Sequence, residues 1–435
     1  LDTLVALAIF LGVFTVIFKG MIDRHSAVLY GAIAMILVGA LSGFYSFSDA
    51  IDAIYFETLA LIFGMSAISS LLARSGVFAH LADRAARSSG GNAFWLLLVF
   101  SLLTYALSLT INNLATMVVL LPVTLATCRR MKINPIPVLI AEIVSSNLGG
   151  ASTMVGDFPN MIIASAAQLS FLDFIGGMMV PCLVLLTAAL LFFQSRRHEL
   201  RVVPSGPVED DDQDDWELPR IDQFRLRLGL MTLGLAILGF LMADALQIRP
   251  GWIALMAGVI AAAGARFGND EIAEACGVSD IQFFAGLFIL VGGLVAAGVP
   301  DGFSSAIYAI AGDSEAGRLL VMMWTAAGST IFLNAGPSTA LFVSLAPGLV
   351  ADVQDPTVWW ALSLGVQAGS SAALTGATAG AVAATQLSAY LRDHPDMLAH
   401  MPEGRTLDFK EFLRWGLPLM GIFLLLSSLY VLLII

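Results

Sequence analysis

Residues 145–160 read SSNLGGASTMVGDFPN. Three glycines, one proline, two asparagines and one aspartate fall together between the apolar flanks PVLIAEIV and MIIASAAQL. The flanks have the character of a membrane-crossing helix, and the stretch between them breaks one. Non-helical backbone at membrane depth is tolerated only where it is buried in protein or lines a wet cavity. The reading of this break decides the fold.

The membrane setting comes from composition. Hydrophobic residues make up 58% of the chain and charged residues 12%, against about 25% charged in soluble domains. Apolar runs such as LVALAIFLGVFTVIF, FIGGMMVPCLVLLTAALLFF and GLPLMGIFLLLSSLYVLLII approach or reach the roughly 20 residues needed to cross a bilayer. The first run has neither a basic region nor a small-residue cleavage site, so no cleavable signal peptide is expected. The net charge of −12 comes largely from one acidic loop. Cys128, Cys182 and Cys276 have no metal-ligand or redox spacing and read as buried thiols. The five histidines are expected in connecting segments, and no catalytic or nucleic-acid signature is present. An enzyme and a cofactor are not expected.

Lysine and arginine favour cytoplasmic loops. Crossings at 4–18, 27–43, 57–73, 136–166 and 174–194 leave the basic loops on one side if 94–127 is a re-entrant hairpin turning near TINN (110–113). Residues 195–227 form an acidic cytoplasmic linker containing SGPVEDDDQDDWE. The second half repeats the scheme. Its crossings are 228–244, 251–265, 281–299, 358–390 and 412–435, and a hairpin at 318–350 turns near LNAGPST. Of the 21 lysines and arginines, only Arg249 and Arg318 then lie outside. Both termini are expected outside a plasma membrane, the inner one in bacteria.

The halves also match in sequence. Gly64, Gly76 and Asn112 each stand 222 positions before Gly286, Gly298 and Asn334, and NLGGASTMVG stands 220 before QAGSSAALTG. Five crossings per repeat is an odd number, so the second repeat must be inverted. The expected fold is an all-α polytopic membrane protein of two inverted repeats, 1–194 and 228–435. Each has five crossings, a re-entrant hairpin and a broken helix (136–166 and 358–390) at a midplane site, the plan of a secondary transporter.

In the first break, the helix of 136–146 is expected to end near Asn147, and a half-helix to resume near Pro159 with Asp157 as its N-cap. Freed carbonyls with hydroxyl and amide oxygens could hold a sodium ion. The second break is placed at Gln367–Thr378. Both hairpin tips should meet the breaks and enclose one site. Its candidate ligands are Asn112, Asn113, Thr116, Asn147, Ser152, Thr153, Asn334, Ser338, Thr339, Ser370, Ser371, Thr375 and Thr378. The carboxylates Asp157 and Glu142 lie deep in the first repeat. A charged form is costly there, which makes both candidates for proton or sodium coupling. Asp244, Glu57 and Asp280 sit at crossing ends and read as interfacial or anchoring. No lysine or arginine lies at membrane depth, which favours a neutral or weakly charged substrate, or a cation.

NLGGASTMVGDFPNMIIAS (147–165) resembles the most distinctive motif of the ion-transporter superfamily of arsenite permeases, the melanosomal P protein, silicon-efflux transporters and NhaD-type sodium/proton antiporters. FETLALIFGM (56–65), INNLATMVVLLP (111–122) and WWALSLGVQAGSSAALTGATAG (359–380) are similar to its other motifs. The resemblance implies a homodimer embedded in lipid, with a scaffold and a moving part, working as an elevator. It points first to proton- or sodium-coupled efflux of a small inorganic oxyanion or hydroxy-acid such as arsenite, antimonite or silicic acid. Sodium/proton antiport stands second and sodium-coupled carboxylate transport third. The more distant dicarboxylate symporters carry Ser–Asn–Thr at both hairpin tips, unlike TINN and LNAGPST here. Nearer relatives often carry an Asp–Asn pair where this chain has Asn334 and Ala335, and asparagines where it has Ser371 and Gly380.

Overall fold

The computed structural model describes residues 1–200, 218–350, 355–377, 379–402 and 405–434, with Asn269 and Asp270 described by their backbone alone. The acidic run of the linker (205–217) and Thr378 lie outside the described residues. All regular elements among the described residues are helices.

The first half contains α1 (Asp2–Phe18), α2 (Arg24–Ser42), α3 (Phe47–Asp52), α4 (Phe56–Ala73), α5 (Val77–Ser88), α6 (Ala93–Ser108), α7 (Asn113–Arg130), α8 (Pro135–Ala151), α9 (Phe158–Ala167) and α10 (Phe171–Ser195). The second contains α11 (Gln223–Leu246), α12 (Pro250–Ala265), α13 (Asn269–Ala275), α14 (Val278–Ala296), α15 (Val299–Ala311), α16 (Glu315–Leu333), α17 (Ala335–Val343), α18 (Thr357–Ser370), α19 (Gly380–Asp393) and α20 (Phe409–Ile434). The order of helices is largely the same in both, except that α17, at nine residues, is half the length of α7, at 18. Seven helices (α2, α4, α10, α11, α14, α16 and α20) are long and apolar enough to cross a membrane.

Packing repeats along with order. Helix α12 lies on α4 as α2 lies on α14, α6 on α8 as α16 on α18, and α10 on α8 as α20 on α18. Local turns repeat too. Gly76 and Gly298 precede α5 and α15 with φ of +79° and +72°, a conformation that a β-carbon opposes. The α4–α12 crossing is close because Gly64 faces Gly258 and the Ala254 backbone directly. Small residues let helix backbones approach in this way, and dispersion between the tightly apposed chains holds them.

The structure corrects several boundaries. Helix α8 does not stop near Asn147 but runs to Ala151, so Gly149 and Gly150 are helical and the break is 152–157. Helix α18 likewise continues through Gln367 to Ser370. A hydrogen-bonded helix survives two glycines where close packing, of Gly149 on α6 and of Gly150 on Asn113 and Gly156, compensates for their low propensity. Four short helices, α3, α5, α13 and α15, join the crossings; His80 lies in one of them, α5, whereas His25 lies in the first turn of the crossing helix α2 instead of in a connection. Helix α11 starts at Gln223, within the segment read as linker.

Charged loops pair among themselves. Arg24 binds Asp280 at 2.8 Å, Arg74 binds Glu274 at 3.1 Å, Arg129 binds Asp396 at 2.7 Å and Arg414 binds Glu199 at 2.8 Å. All eight come from segments that the charge bias puts on one side. Glu57 and Arg249, read as lying on the other side, face each other at 3.8 Å. Such partly exposed pairs contribute little stability each, but they register which loops share a face.

Candidate functional site

The tip between α6 and α7 is held against the first break. Gly149 brings α8 into contact with the Tyr105 carbonyl, and a β-carbon there would also stand 3.0 Å from Ser108 Cβ. Gly156 rests on the Ser108 carbonyl and on Gly150. The Thr153 hydroxyl then donates to the Leu109 carbonyl at 2.6 Å. The second half repeats this lock with other side chains. Gly369 meets the Ala327 carbonyl, Gly376 lies on Gly369 and Thr330, and the Thr375 hydroxyl donates to the Ile331 carbonyl at 2.7 Å. Removing either hydroxyl should weaken its lock by about 1 kcal/mol, the net worth of one hydrogen bond. Thr153→Val is expected to raise protease sensitivity at the first tip, and Thr375→Val at the second, each leaving the other tip unchanged in limited proteolysis.

Asp157 stands at the centre of the first break. It is 4% exposed and caps α9, its Oδ1 accepting the Phe158 N–H at 2.9 Å. Two side-chain amides face the same carboxylate, Asn113 from the α7 tip and Gln367 from α18. Gly150 makes room for them, since a β-carbon there would stand 2.9 Å from both Asn113 Oδ1 and Asp157 Cβ. A carboxylate of one half is thus met by an amide from each half.

Several buried polar groups of these elements are left without a well-formed hydrogen bond. Both amide atoms of Asn113, the amide nitrogens of Asn147 and Gln367, and the hydroxyls of Thr116 and Ser371 are buried with no hydrogen-bond partner. These groups sit on the elements that meet at Asp157: Thr116 follows Asn113 by three residues on α7, Asn147 precedes Gly150 by three on α8, and Ser371 directly follows the end of α18. An unsatisfied buried polar group costs about 1–3 kcal/mol, so native proteins keep few. Their occurrence on the elements that meet at Asp157 makes this the candidate site.

The remaining expected ligands have partners within the protein. Asn112 caps α7 by accepting the Ala115 N–H at 2.8 Å. Ser152 shares a 2.7 Å bond with Tyr105. Asn334, with φ +73°, donates to the Thr375 carbonyl at 3.0 Å. Ser338 bonds Ser329 at 2.6 Å, and Thr339 and Ser370 bond back to the Ala335 and Gln367 carbonyls at 2.8 and 3.0 Å. Glu142 is not in the cluster. It sits nine residues before Ala151 on α8, about 13 Å along the helix. Its Oε1 accepts the Thr124 hydroxyl at 2.8 Å and its Oε2 has no partner.

Sequence reasoning missed two residues. Gln367 was read only as the edge of a break. Asn160 was not singled out, although an asparagine inside the apolar FPNMIIAS run is a visible signal. Its Nδ2 donates to the carbonyls of Gly150 (3.2 Å), Ala151 (2.9 Å) and Thr153 (2.9 Å), and its Oδ1 accepts the Ser363 hydroxyl at 2.9 Å. Three carbonyls of the first break are therefore occupied. Among the described residues no three His, Cys, Asp or Glu side chains group as a metal site, and the three cysteines are buried and unpaired.

A family model described as a citrate transporter, CitMHS, matches residues 9–365. The magnetosome protein MamN of Magnetospirillum gryphiswaldense is 46% identical over 429 residues, covering 98% of each chain. The P protein of Mus musculus is 26% identical, over 95% of this chain and 58% of its own length. Among solved structures, the YdaH transporter of Alcanivorax borkumensis superposes with a TM-score of 0.59 at 13% identity, covering 94% of this chain and 98% of that one, which is a likeness of fold. This breadth of matching bears out the resemblance read from the break motif. The chain is a membrane transporter, not an enzyme, and belongs to the CitMHS citrate transporter family of the ion-transporter superfamily.

Proposed function

We propose that this transporter couples proton movement at Asp157 to efflux of a small inorganic hydroxy-acid or oxyanion of the arsenite, antimonite or silicic acid type. One observation carries the reading: a single buried carboxylate is faced by neutral amides from both halves and accompanied by buried groups without partners. Neutral donors and acceptors match an uncharged hydroxy-acid, which offers hydroxyls of both kinds. No lysine or arginine is among these groups. A citrate-like trianion would meet a carboxylate and no compensating cation, at a desolvation cost of several kcal/mol. Efflux is the direction implied by the arsenite-permease resemblance.

Sodium/proton antiport is the second reading. It is favoured by the unpartnered buried oxygens of Asn113, Thr116 and Ser371, which are hard ligands suited to a small cation. In either case the halves act as inverted repeats around a midplane site. The paired charged loops support a cytoplasmic linker at 195–227 and both termini outside, in a bacterial inner membrane. An elevator motion of a homodimer remains the mechanical expectation.

The test uses purified protein in liposomes holding a pH gradient, with a pH-reporting dye. Sodium, lithium, arsenite and silicic acid are added separately. Proton movement with a hydroxy-acid alone is the expected result. Collapse of the gradient with sodium alone transfers the assignment to antiport, and no response to any of them removes proton coupling.

A further inference from the structure

The C-terminal end of α8 and the following break present three backbone carbonyls to one point. Gly150 and Ala151 are the last residues of the helix, where carbonyls lack helical partners and carry the negative end of the dipole. Thr153 adds a third from the break. In transporters with interrupted helices, such carbonyl ends are where cations bind. Here the point is taken by the Asn160 amide nitrogen, 2.9–3.2 Å from the three oxygens.

The orientation of that amide is settled by its surroundings. Carbonyls only accept, so the other orientation would set an oxygen against three oxygens. The Ser363 hydroxyl, from α18, donates to Oδ1 and holds the amide from the other half. Both Asn160 and Ser363 are fully buried. An amide has two hydrogens for three acceptors, so the 3.2 Å bond to Gly150 is the weakest. At the offset of 220 that relates the breaks, the second half has Gly380 and no side chain to play this part.

We propose that Asn160 is a built-in cation surrogate: its amide fills the carbonyl cage of the first break, so this break takes up no sodium ion and coupling there falls to the proton at Asp157. The inference rests on the proton-coupled reading above, and makes Asn160 the residue that sets which ion the first break uses. It acts through the break and not by touching the substrate, so it is a positioning and selectivity residue.

Replacing the donor by an acceptor converts the cage. Asn160→Asp sets a carboxylate beside three carbonyls, four oxygens that repel one another until a cation enters. The measurement is thermal unfolding of purified wild type and N160D in sodium chloride and in choline chloride at equal ionic strength. N160D is expected to gain about 3 °C or more in Tm from sodium beyond whatever the wild type gains, because a ligand bound only to the folded state stabilises it by mass action. A gain no larger than that of the wild type overturns the proposal. So does an N160D protein that fails to fold equally in both salts, since a cation then cannot replace the amide. This readout needs no transport. A wild type without proton flux, together with a sodium-stabilised N160D, would refute the coupling role of Asp157 and leave the cage assignment standing.

Discussion

Asp157→Asn is expected to reduce proton-coupled flux in liposomes to background, a loss of about 100-fold or more, while the purified protein stays folded and monodisperse. The two halves of this expectation have separate causes. Asparagine is as good an N-cap as aspartate, and its Oδ1 can still accept the Phe158 N–H that Asp157 binds at 2.9 Å. The start of α9 therefore keeps its cap. What the substitution removes is the exchangeable proton and the charge, and no other carboxylate in the cluster replaces them. Glu142 is about 13 Å away along α8 and is engaged with Thr124. Wild-type flux in D157N would exclude Asp157 from coupling. Loss of folded protein instead would show that the carboxylate serves the break as structure.

Gly149→Val should have the largest effect on assembly of the site. The missing side chain of Gly149 faces the Tyr105 carbonyl, and on its other side Ser108 Cβ. A flexible side chain could step aside for an added β-carbon, but a backbone carbonyl within α6 cannot without moving the helix. Overpacking a rigid contact costs about 1–3 kcal/mol and more when neither wall yields. Valine adds two further methyls, so a loss of about 3 kcal/mol or more is expected. Displacing α6 also drags the tip that carries Asn113 away from Asp157. The expected observations are a lower unfolding temperature and transport at least about 10-fold below wild type. Gly176→Val is the control, because a β-carbon there meets nothing within 4 Å. Equal stability of G149V and G176V would show that the α6–α8 contact is looser than described.

The same residues show how much could be read in the chain alone. The break at 145–160 was visible because glycine, proline and aspartate in an apolar run are incompatible with a plain crossing helix. The capping role of Asp157 followed from its place before Phe158 and Pro159. The halves were legible as repeats because Gly76 and Gly298 answer to the same backbone requirement, and Asn112 and Asn334 both cap a helix, at a constant offset. Where the break begins was not legible. Gly149 and Gly150 read as breakers by propensity, yet they remain helical with α6 directly against Gly149, and the Asn113 tip and the following break against Gly150. Propensity is local and weak, and a tertiary contact of this closeness overrides it.

The sequence by itself determined the membrane setting, the recurrence of motifs between the halves and the presence of a break within 145–160, since these depend on hydrophobicity, charge bias and backbone chemistry along the chain. Only the tertiary structure decided which polar residues are free. Serine, threonine and asparagine have the same composition whether they bond a neighbouring carbonyl or face a ligand. Thr153 closes a lock on Leu109 and Asn160 fills three carbonyls, whereas Asn113 and Gln367 turn unpartnered amides toward Asp157. Contacts such as Thr153 with Leu109, 44 positions apart, and Ser363 with Asn160, 203 apart, fix that distinction, and they exist only once the helices have packed.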